Sequence, residues 1–531
     1  MSGWPGTPRA MLAARVAVSP DRPFLIGPDC CLTFAEFDAA KRRMAGAIAE
    51  IGVEPGQRVL IGMSNRPETV IVQQAVGQLG AVQVPLVPGL SADELVWQAN
   101  HSGAGVLVAD DPIAALLEPR LDECPHVRAS LLAGQLARAR THTALDPAPL
   151  PDDPMAPWAI LYTSGSTGRP KGVVLPAAAF ASGGTGYAER FGVLAADNCM
   201  VPTPLGHAVG ALNAQCVALH TGCSLTVVDR FSPRAFWDQV RTYGVTFLVL
   251  FPAQLNLLME LQEGAPQPGE HPLRMVFTHA WHERFRQRFG VELKLCWGMT
   301  ETGAISAGSE PGYDGDGEDG YIGPPWPLAE LAAFDEHGCR LPSGVAGEIR
   351  MRHPHVMLGY HDDPESTAAA LVEGWVRSGD RGVVDARGHL VYLGRFKHLI
   401  KRSGENIGAE EVEAAIDPLP GVAESLVFGV PDPLRTEEVM AVVAAAPDAR
   451  LDPATLTDAV AQRLARWKVP RYVLLVQGPL PRLPNGKLDR GSALDRYDPA
   501  AAWDRSASAS ARSAASRPQA RGGSPSRSDS R

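Results

Sequence analysis

The sequence predicts an α/β fold: a large N-terminal domain of mostly parallel sheets flanked by helices, followed by a small α+β C-terminal domain. Three observations predict it. Short apolar runs alternate with amphipathic stretches up to about residue 330, the pattern of strands joined by helical crossovers. Strand-like patterns alone dominate residues 330–394, as in Gly347-Glu348-Ile349-Arg350-Met351, and predict a small β-rich subdomain. Near residue 395 the pattern changes again, and a chain of 531 residues is long enough for more than one core.

Individual elements follow from local chemistry. Thr33 can cap a helix opening at Phe34, with Glu36 three residues later to return the hydrogen bond. Val59-Leu60-Ile61-Gly62 and the run from Gly80 to Val87 read as buried strands. Residues 140–157 are rich in Pro and Asp and read as a surface linker. Ala235–Val240 is a predicted helix, Thr246–Phe251 a buried strand, and Asp314–Asp319 a mobile loop. Ile407–Ile416 predicts a helix with Val412 and Ile416 on one face and Glu410, Glu411 and Glu413 on others. We expect this C-terminal domain to run over 398–495. Residues 496–531 become rich in Ser, Ala, Gly and Arg and are expected to be a disordered tail.

Composition narrows the function. Apolar content of 45% and charged content of 20% are those of an ordinary globular protein. A formal charge of −10 argues against nucleic acid as a partner. No apolar run is long enough for a membrane helix, and Met1 to Arg9 lacks the pattern of a secretory signal. The 8 cysteines show no metal-like spacing, so free thiols in a reducing cytoplasm are expected.

The stretch Tyr162-Thr163-Ser164-Gly165-Ser166-Thr167-Gly168-Arg169-Pro170-Lys171-Gly172 carries the most chemistry. An apolar run leads into hydroxyls, glycines and one lysine. Glycines let backbone N–H groups approach an anion, hydroxyls donate further bonds, and Lys171 adds a point charge. Pro170 before the lysine and Gly172 after it exclude a Walker A loop. The loop is expected to hold a polyphosphate.

It resembles the signature of the adenylate-forming enzymes, which include acyl-CoA synthetases, luciferases and adenylation domains. Further stretches are similar to that family in the same order: Thr203-Pro204-Leu205-Gly206-His207, Trp297-Gly298-Met299-Thr300-Glu301-Thr302, Gly347-Glu348-Ile349, Gly374-Trp375 through Ser378-Gly379-Asp380, Gly394-Arg395-Phe396-Lys397 through Ile407, and Pro484-Asn485-Gly486-Lys487. Together they span the chain to about residue 495. The resemblance implies a large domain over 1–394, a hinge at 395–397 with Lys397 as its pivot, and a mobile small domain. It implies an acid–CoA ligase that uses ATP and Mg²⁺, with CoA as co-substrate and a small-molecule carboxylic acid as substrate.

Site roles are implied residue by residue. Thr163, Ser164, Gly165, Ser166, Thr167, Gly168 and Lys171 would hold the β- and γ-phosphates. Thr300 would contact the α-phosphate, and Glu301 would ligate Mg²⁺. Trp297 would stack on adenine, while Asp380 and Arg395 would hold the ribose. Lys487 would bridge the substrate carboxylate and the α-phosphate. Lys401, Ser403 and Gly404 would approach CoA after the small domain rotates, and His207 would gate the acyl pocket and thiol tunnel.

The chain departs from the family in four places. Trp297 replaces the usual Tyr. The loop after Phe277 runs almost directly through Thr278-His279-Ala280 into Trp281, shorter than the family's adenine-side loop. Gly206 replaces a frequent aromatic before His207, and Pro176-Ala177 replaces a polar pair. No aspartate follows in Gly206-His207-Ala208-Val209-Gly210 to bind an α-ammonium, so the expected acid lacks a free α-amine. The nearest resemblance is to carnitine- and medium-chain-type CoA ligases. The alternatives are a CoA-independent amide synthetase, a ligase acting on a carrier protein, and a non-catalytic nucleotide-binding relative.

Overall fold

The computed structural model describes residues 6–145, 150–163, 170–208, 214–261, 264–303, 306–315, 320–395, 399–446, 449–482, 488–490 and 492–507. Two sheets dominate the large domain. One has seven strands, in the order Gly359–Tyr360, Lys171–Pro176, Pro157–Thr163, Val82–Pro85, Arg58–Gly62, Val106–Ala109 and Ala129–Leu132. Its last five strands run parallel, and the two nearest the other end are antiparallel. The other sheet has eight strands. Six from Glu292–Trp297 to Pro23–Gly27 are parallel, with antiparallel edges at Ala307–Gly308 and Cys30–Thr33.

Helices pack on both faces of both sheets, as the parallel pairing requires. The period of two is visible in a single strand. Val59 and Ile61 face the core shared with the second sheet, whereas Leu60 faces the outer layer with Leu95 and Leu117. Helices Phe34–Glu50, Pro67–Gln78 and Ala177–Phe191 fill the space between the sheets. Thr33 and Glu36 form the expected capping box. The expected strand at 246–251 is shorter, Phe247–Val249, because Pro252 opens a helix and fixes Phe251 before it in extended backbone.

A third sheet, antiparallel, joins Tyr321–Gly323, Leu390–Arg395, Trp375–Val384, Gly347–Arg352 and Glu330–Phe334, with Leu371–Val372 paired to Trp375–Val384. It is the β-rich unit expected over 330–394, extended backwards by one strand. The small domain is built on Val422–Asp432 and Thr436–Ala445, flanked by Leu399–Arg402, Glu405–Gly408 and Tyr472–Val476. Its helix begins at Ala409 rather than Ile407, which lies in a strand, and Glu411 and Glu413 are buried with Val412 and Ile416.

The expected boundary at 495 requires correction. Residues 493–496 form a helix, and Trp503–Asp504 adds a strand to Tyr472–Val476. Asp504 pairs with Arg471, and the Arg505 amide donates to the Arg471 carbonyl. A two-residue strand leaves no periodic signal, so composition masked it. The remainder of the predicted tail, 508–531, and most of the predicted mobile loop, 316–319, lie outside the described residues. The 8 cysteines form no disulfide, and no described helix is long and apolar enough to cross a membrane.

Ending the chain after Ala502 instead of Ala507 removes this strand and the Asp504 pair. The expected loss is roughly 1–3 kcal/mol in the small domain, from the half-buried Trp503 and its pairing. Equal melting temperatures for the two truncations, by calorimetry, would show that the strand does not contribute.

Candidate active site

The ends of strands from all three large-domain sheets converge on one cavity of about 520 Å³, closed on its far side by the small domain. Its wall includes Thr163, Lys171, His207, Phe251, His279, Thr300, Glu301, Tyr360, Gly404 and Glu405.

Thr163 ends one strand and Lys171 begins its antiparallel partner, and the two residues pair. Tyr162, just before it, is anchored by a 2.8 Å contact between its hydroxyl and His101 Nδ1. Lys171 Nζ donates to Ser366 Oγ at 2.7 Å and lies 5.0 Å from the centre of the Tyr360 ring. The Tyr360 hydroxyl donates to Glu301 Oε1 at 2.8 Å. One tyrosine thus spaces the cation from the carboxylate. Glu301 sits on the short turn Thr300–Thr302, held by the Met357 amide on the Glu301 carbonyl.

His207 is placed by buried amides. Asn65 Nδ2 donates to the Thr203 carbonyl and its Oδ1 accepts from the Leu205 amide; Gln73 Nε2 donates to the Leu205 carbonyl. These pin the strand end that carries His207 to the helix Pro67–Gln78. Across the cavity, Leu399–Arg402 and Glu405–Gly408 form a hairpin whose turn, Ser403-Gly404, has positive φ at both residues. A Cβ on Gly404 would stand 2.5 Å from Phe251 Cδ2, so glycine is required both for the turn and for the close seat.

The next residue, Glu405, reaches His207, with Nε2 3.2 Å from Oε1. Burial opposes the charged form of His207, but the Glu405 charge and hydrogen bond outweigh it and raise the imidazole above its ordinary range. Burial also opposes ionisation of Glu405; His207, with a smaller contribution from Lys468, nevertheless holds it below the usual carboxylate range.

Other predicted residues are placed differently. Trp297, expected to offer a face to adenine, is 6% exposed and packs with Ile322, Leu331 and Ile349. Its indole N–H donates to Asp380 Oδ2 at 2.8 Å. The cavity wall here is Gly298, Met299, Ser378 and Gly379 instead, because the strand Glu292–Trp297 turns its last side chain into the cluster beneath the third sheet. The shortened loop after Thr278 places His279 in the wall, its Nδ1 donating to the Cys296 carbonyl and its ring stacked on Phe251. Lys401 Nζ donates to the Tyr392 hydroxyl. Arg395 pairs through its backbone with Asp380; its side chain, with Ser164, Gly165, Ser166, Thr167, Gly168, Lys397 and Lys487, lies outside the described residues.

Tyr360, Ser366 and Arg377 were not singled out from the sequence. Tyr360 pairs with Val173 on the strand that starts at Lys171, a neighbour almost 190 residues away that no local pattern announces.

The AMP-binding enzyme family matches residues 12–361, and its C-terminal domain matches 411–487. The chain belongs to the AMP-binding enzyme family. A sulfoacetate–CoA ligase of Cupriavidus necator is 33% identical over 91% of this chain and 96% of its own. A crotonobetaine/carnitine–CoA ligase of Salmonella paratyphi B is 29% identical over 86% of this chain and 92% of its own. Among solved structures, an o-succinylbenzoate CoA synthetase of Bacillus subtilis superposes with a TM-score of 0.82 at 27% identity, covering 92% of this chain and 98% of the other. An amide bond synthetase of Marinactinospora thermotolerans reaches 0.80 at 27% identity, covering 92% and 99%.

The paired shifts set a pH window for the docked hairpin. His207, raised on docking, contributes fully below pH 6.5 and loses its contribution as pH rises through the raised value. Glu405, depressed, contributes above pH 4.5 and loses it as pH falls through the depressed value. The pair should hold the hairpin best between about pH 4.5 and 6.5. In Glu405→Gln, amide exchange of residues 403–408, corrected for intrinsic rates, should exceed wild type in that window and converge on it as pH rises. A difference that does not change from pH ~6 to ~9 would show that the pair does not govern docking.

Proposed function

We propose that this chain condenses a carboxylic acid with ATP to an acyl-adenylate and then passes the acyl group to CoA. In the first step a carboxylate oxygen bonds to the α-phosphorus and pyrophosphate leaves. In the second, the thiol sulfur bonds to the acyl carbon, AMP leaves, and the thiol proton is lost. The observation that carries this reading is the Ser403-Gly404 turn seated on Phe251 beside His207. Glycine there lets the small domain seat its turn directly on the cavity wall beside His207, a contact that an enzyme serving only adenylation does not need.

Lys171 and the hydroxyl of Ser366 offer donors for phosphate oxygens at the cavity wall. Glu301, 8% exposed with one oxygen held by Tyr360, fits a single hard ligand to Mg²⁺. That ion, when bound, would offset the charge of the phosphates. We assign Lys487 the role of bridging carboxylate and α-phosphate, Lys397 the pivot, and 395–397 the hinge. The strand ending at Arg395 and the next starting at Leu399 support a short connection there. Ribose recognition by Asp380 would have to accommodate its bond to Trp297.

The acid is one without a free α-amine. The likeness to an amide bond synthetase keeps an amine acceptor as the second reading; a carrier-protein thiol is the third. Free thiols fit a reducing cytoplasm.

The decisive experiment incubates the protein with ATP, Mg²⁺ and a panel of acids, with and without CoA, and weighs the products. AMP with acyl-CoA supports the reading. Acyl-adenylate alone points to another acceptor, and no turnover across the panel to a non-catalytic protein. Lys487→Ala should slow acid-dependent pyrophosphate release roughly 100-fold or more, as loss of a transition-state donor does, while a synthetic acyl-adenylate is still converted. Gly404→Ala should do the reverse, slowing transfer roughly tenfold or more because a methyl group overpacks the Phe251 contact. Pyrophosphate release at the wild-type rate in Lys487→Ala would remove that residue from its role.

A further inference from the structure

The small domain touches the large one at a second place along the same cavity, whose wall includes Leu90, Trp467 and Lys468 as well as Gly404 and Glu405. Lys468 Nζ donates to Glu94 Oε1 and to Glu411 Oε1, both at 2.7 Å. All three residues are nearly buried, at 6%, 9% and 3% exposure. Glu411 belongs to the same domain as Lys468, whereas Glu94 is in the first turn of the large-domain helix Ala92–Ser102.

The surroundings are built for this contact. Ala465 is buried among Leu86, Leu90 and Leu95 of the large domain, and Trp467 packs against the same cluster. A Cβ on Gly89 would stand 2.8 Å from the Trp467 ring. The Ser91 hydroxyl donates to the Arg463 carbonyl. Three residues of one segment, Ala465, Trp467 and Lys468, thus plug into the start of one helix.

The carboxylates have unequal roles. Glu94 already accepts from the Ser91 amide through Oε2, closing a capping box. Glu411 shares Lys468 within its own domain. If the domains part, Glu94 keeps its cap and Lys468 keeps Glu411, so neither is left as an unpaired buried charge. Of the bonds that these three residues make here, the one between Lys468 and Glu94 is the one that crosses between the domains. Buried ion pairs of this kind contribute geometry more than net stability.

Resting on the CoA-ligase reading above, we propose that Lys468 is a positioning residue for the thioester-forming half-reaction, latching the small domain to Glu94 so that the Ser403-Gly404 turn stays seated on Phe251. Lys468 acts through the domain contact and Glu94 never meets the reacting atoms. Glu405, in the hairpin, also feels the Lys468 charge.

The test uses the full chain as Glu94→Gln, Lys468→Met and Lys468→Arg. Glutamine keeps the helix cap and removes the charge, so folding is preserved in the first variant. Adenylation is followed as pyrophosphate exchange. Transfer is followed in single turnovers from a synthetic acyl-adenylate to CoA. Hydrogen exchange of residues 403–408 reports docking without any substrate. We expect Glu94→Gln to slow transfer at least about tenfold with pyrophosphate exchange unchanged, and to raise exchange in 403–408. Lys468→Met should slow transfer further, since Glu94 and Glu411 then repel, and Lys468→Arg should recover most of the rate.

Equal losses in both half-reactions, or unchanged exchange in 403–408, would overturn the latch. So would a Lys468→Met defect with Glu94→Gln at wild type, which would place Lys468 on a ligand. If the wild type itself transfers nothing to CoA, the ligase reading fails. Hydrogen exchange then still decides the latch: a rise in 403–408 upholds it and no change overturns it.

Discussion

Everything at the cavity depends on one packing constraint: two sheets share a single layer of helices. The helix Ala177–Phe191 can fit there because it carries glycine where its neighbours press closest. A Cβ on Gly184 would meet Cys216 at 2.4 Å, and one on Gly186 would meet Trp326 at 1.8 Å. With the sheets held this close, strands from both end at the same place. Lys171 from one, Thr300 and Glu301 after the other, and Tyr360 between them are thereby brought into one cavity wall.

Polar groups within that layer convert packing into aim. Gln73, Gln74 and Gln215 bond to one another and to the Leu205 carbonyl, fully buried. A buried amide left unpaired is costly, so this network fixes the segment that ends in His207. The opposite wall is the hairpin of the small domain, and its fit is a matter of a missing side chain at Gly404. Rigid placement on one side and a close-fitting turn on the other face each other across the cavity.

Features written in short stretches of sequence were legible. The capping box at Thr33 and Glu36, the strand at 59–62 and the β-rich unit after 330 follow from neighbours along the chain. The likeness of spaced motifs to the adenylate-forming enzymes carried the class of protein. Orientation was not legible. Trp297 occupies the expected position, yet its ring turns into an apolar cluster, because the third sheet supplies Ile322 and Ile349 from elsewhere in the chain. Lys468 and Glu94, separated by 374 residues, carry no shared pattern. Glu411 was read only as a residue off the apolar helix face, and nothing local says that a cation waits for it.

The strand Trp503–Asp504 lies against Tyr472–Val476, on the small domain's own sheet. Material that follows it is therefore cargo of that domain. On the proposed hinge, a fluorophore, affinity handle or fused protein placed there would swing with the small domain, adding hydrodynamic drag to the rotation. The N-terminal side, where the helix Pro8–Val18 is packed into the large domain, is instead a stationary mount. On that proposal the two mounts are a rotor and a stator, a means to watch the enzyme turn over or to brake it.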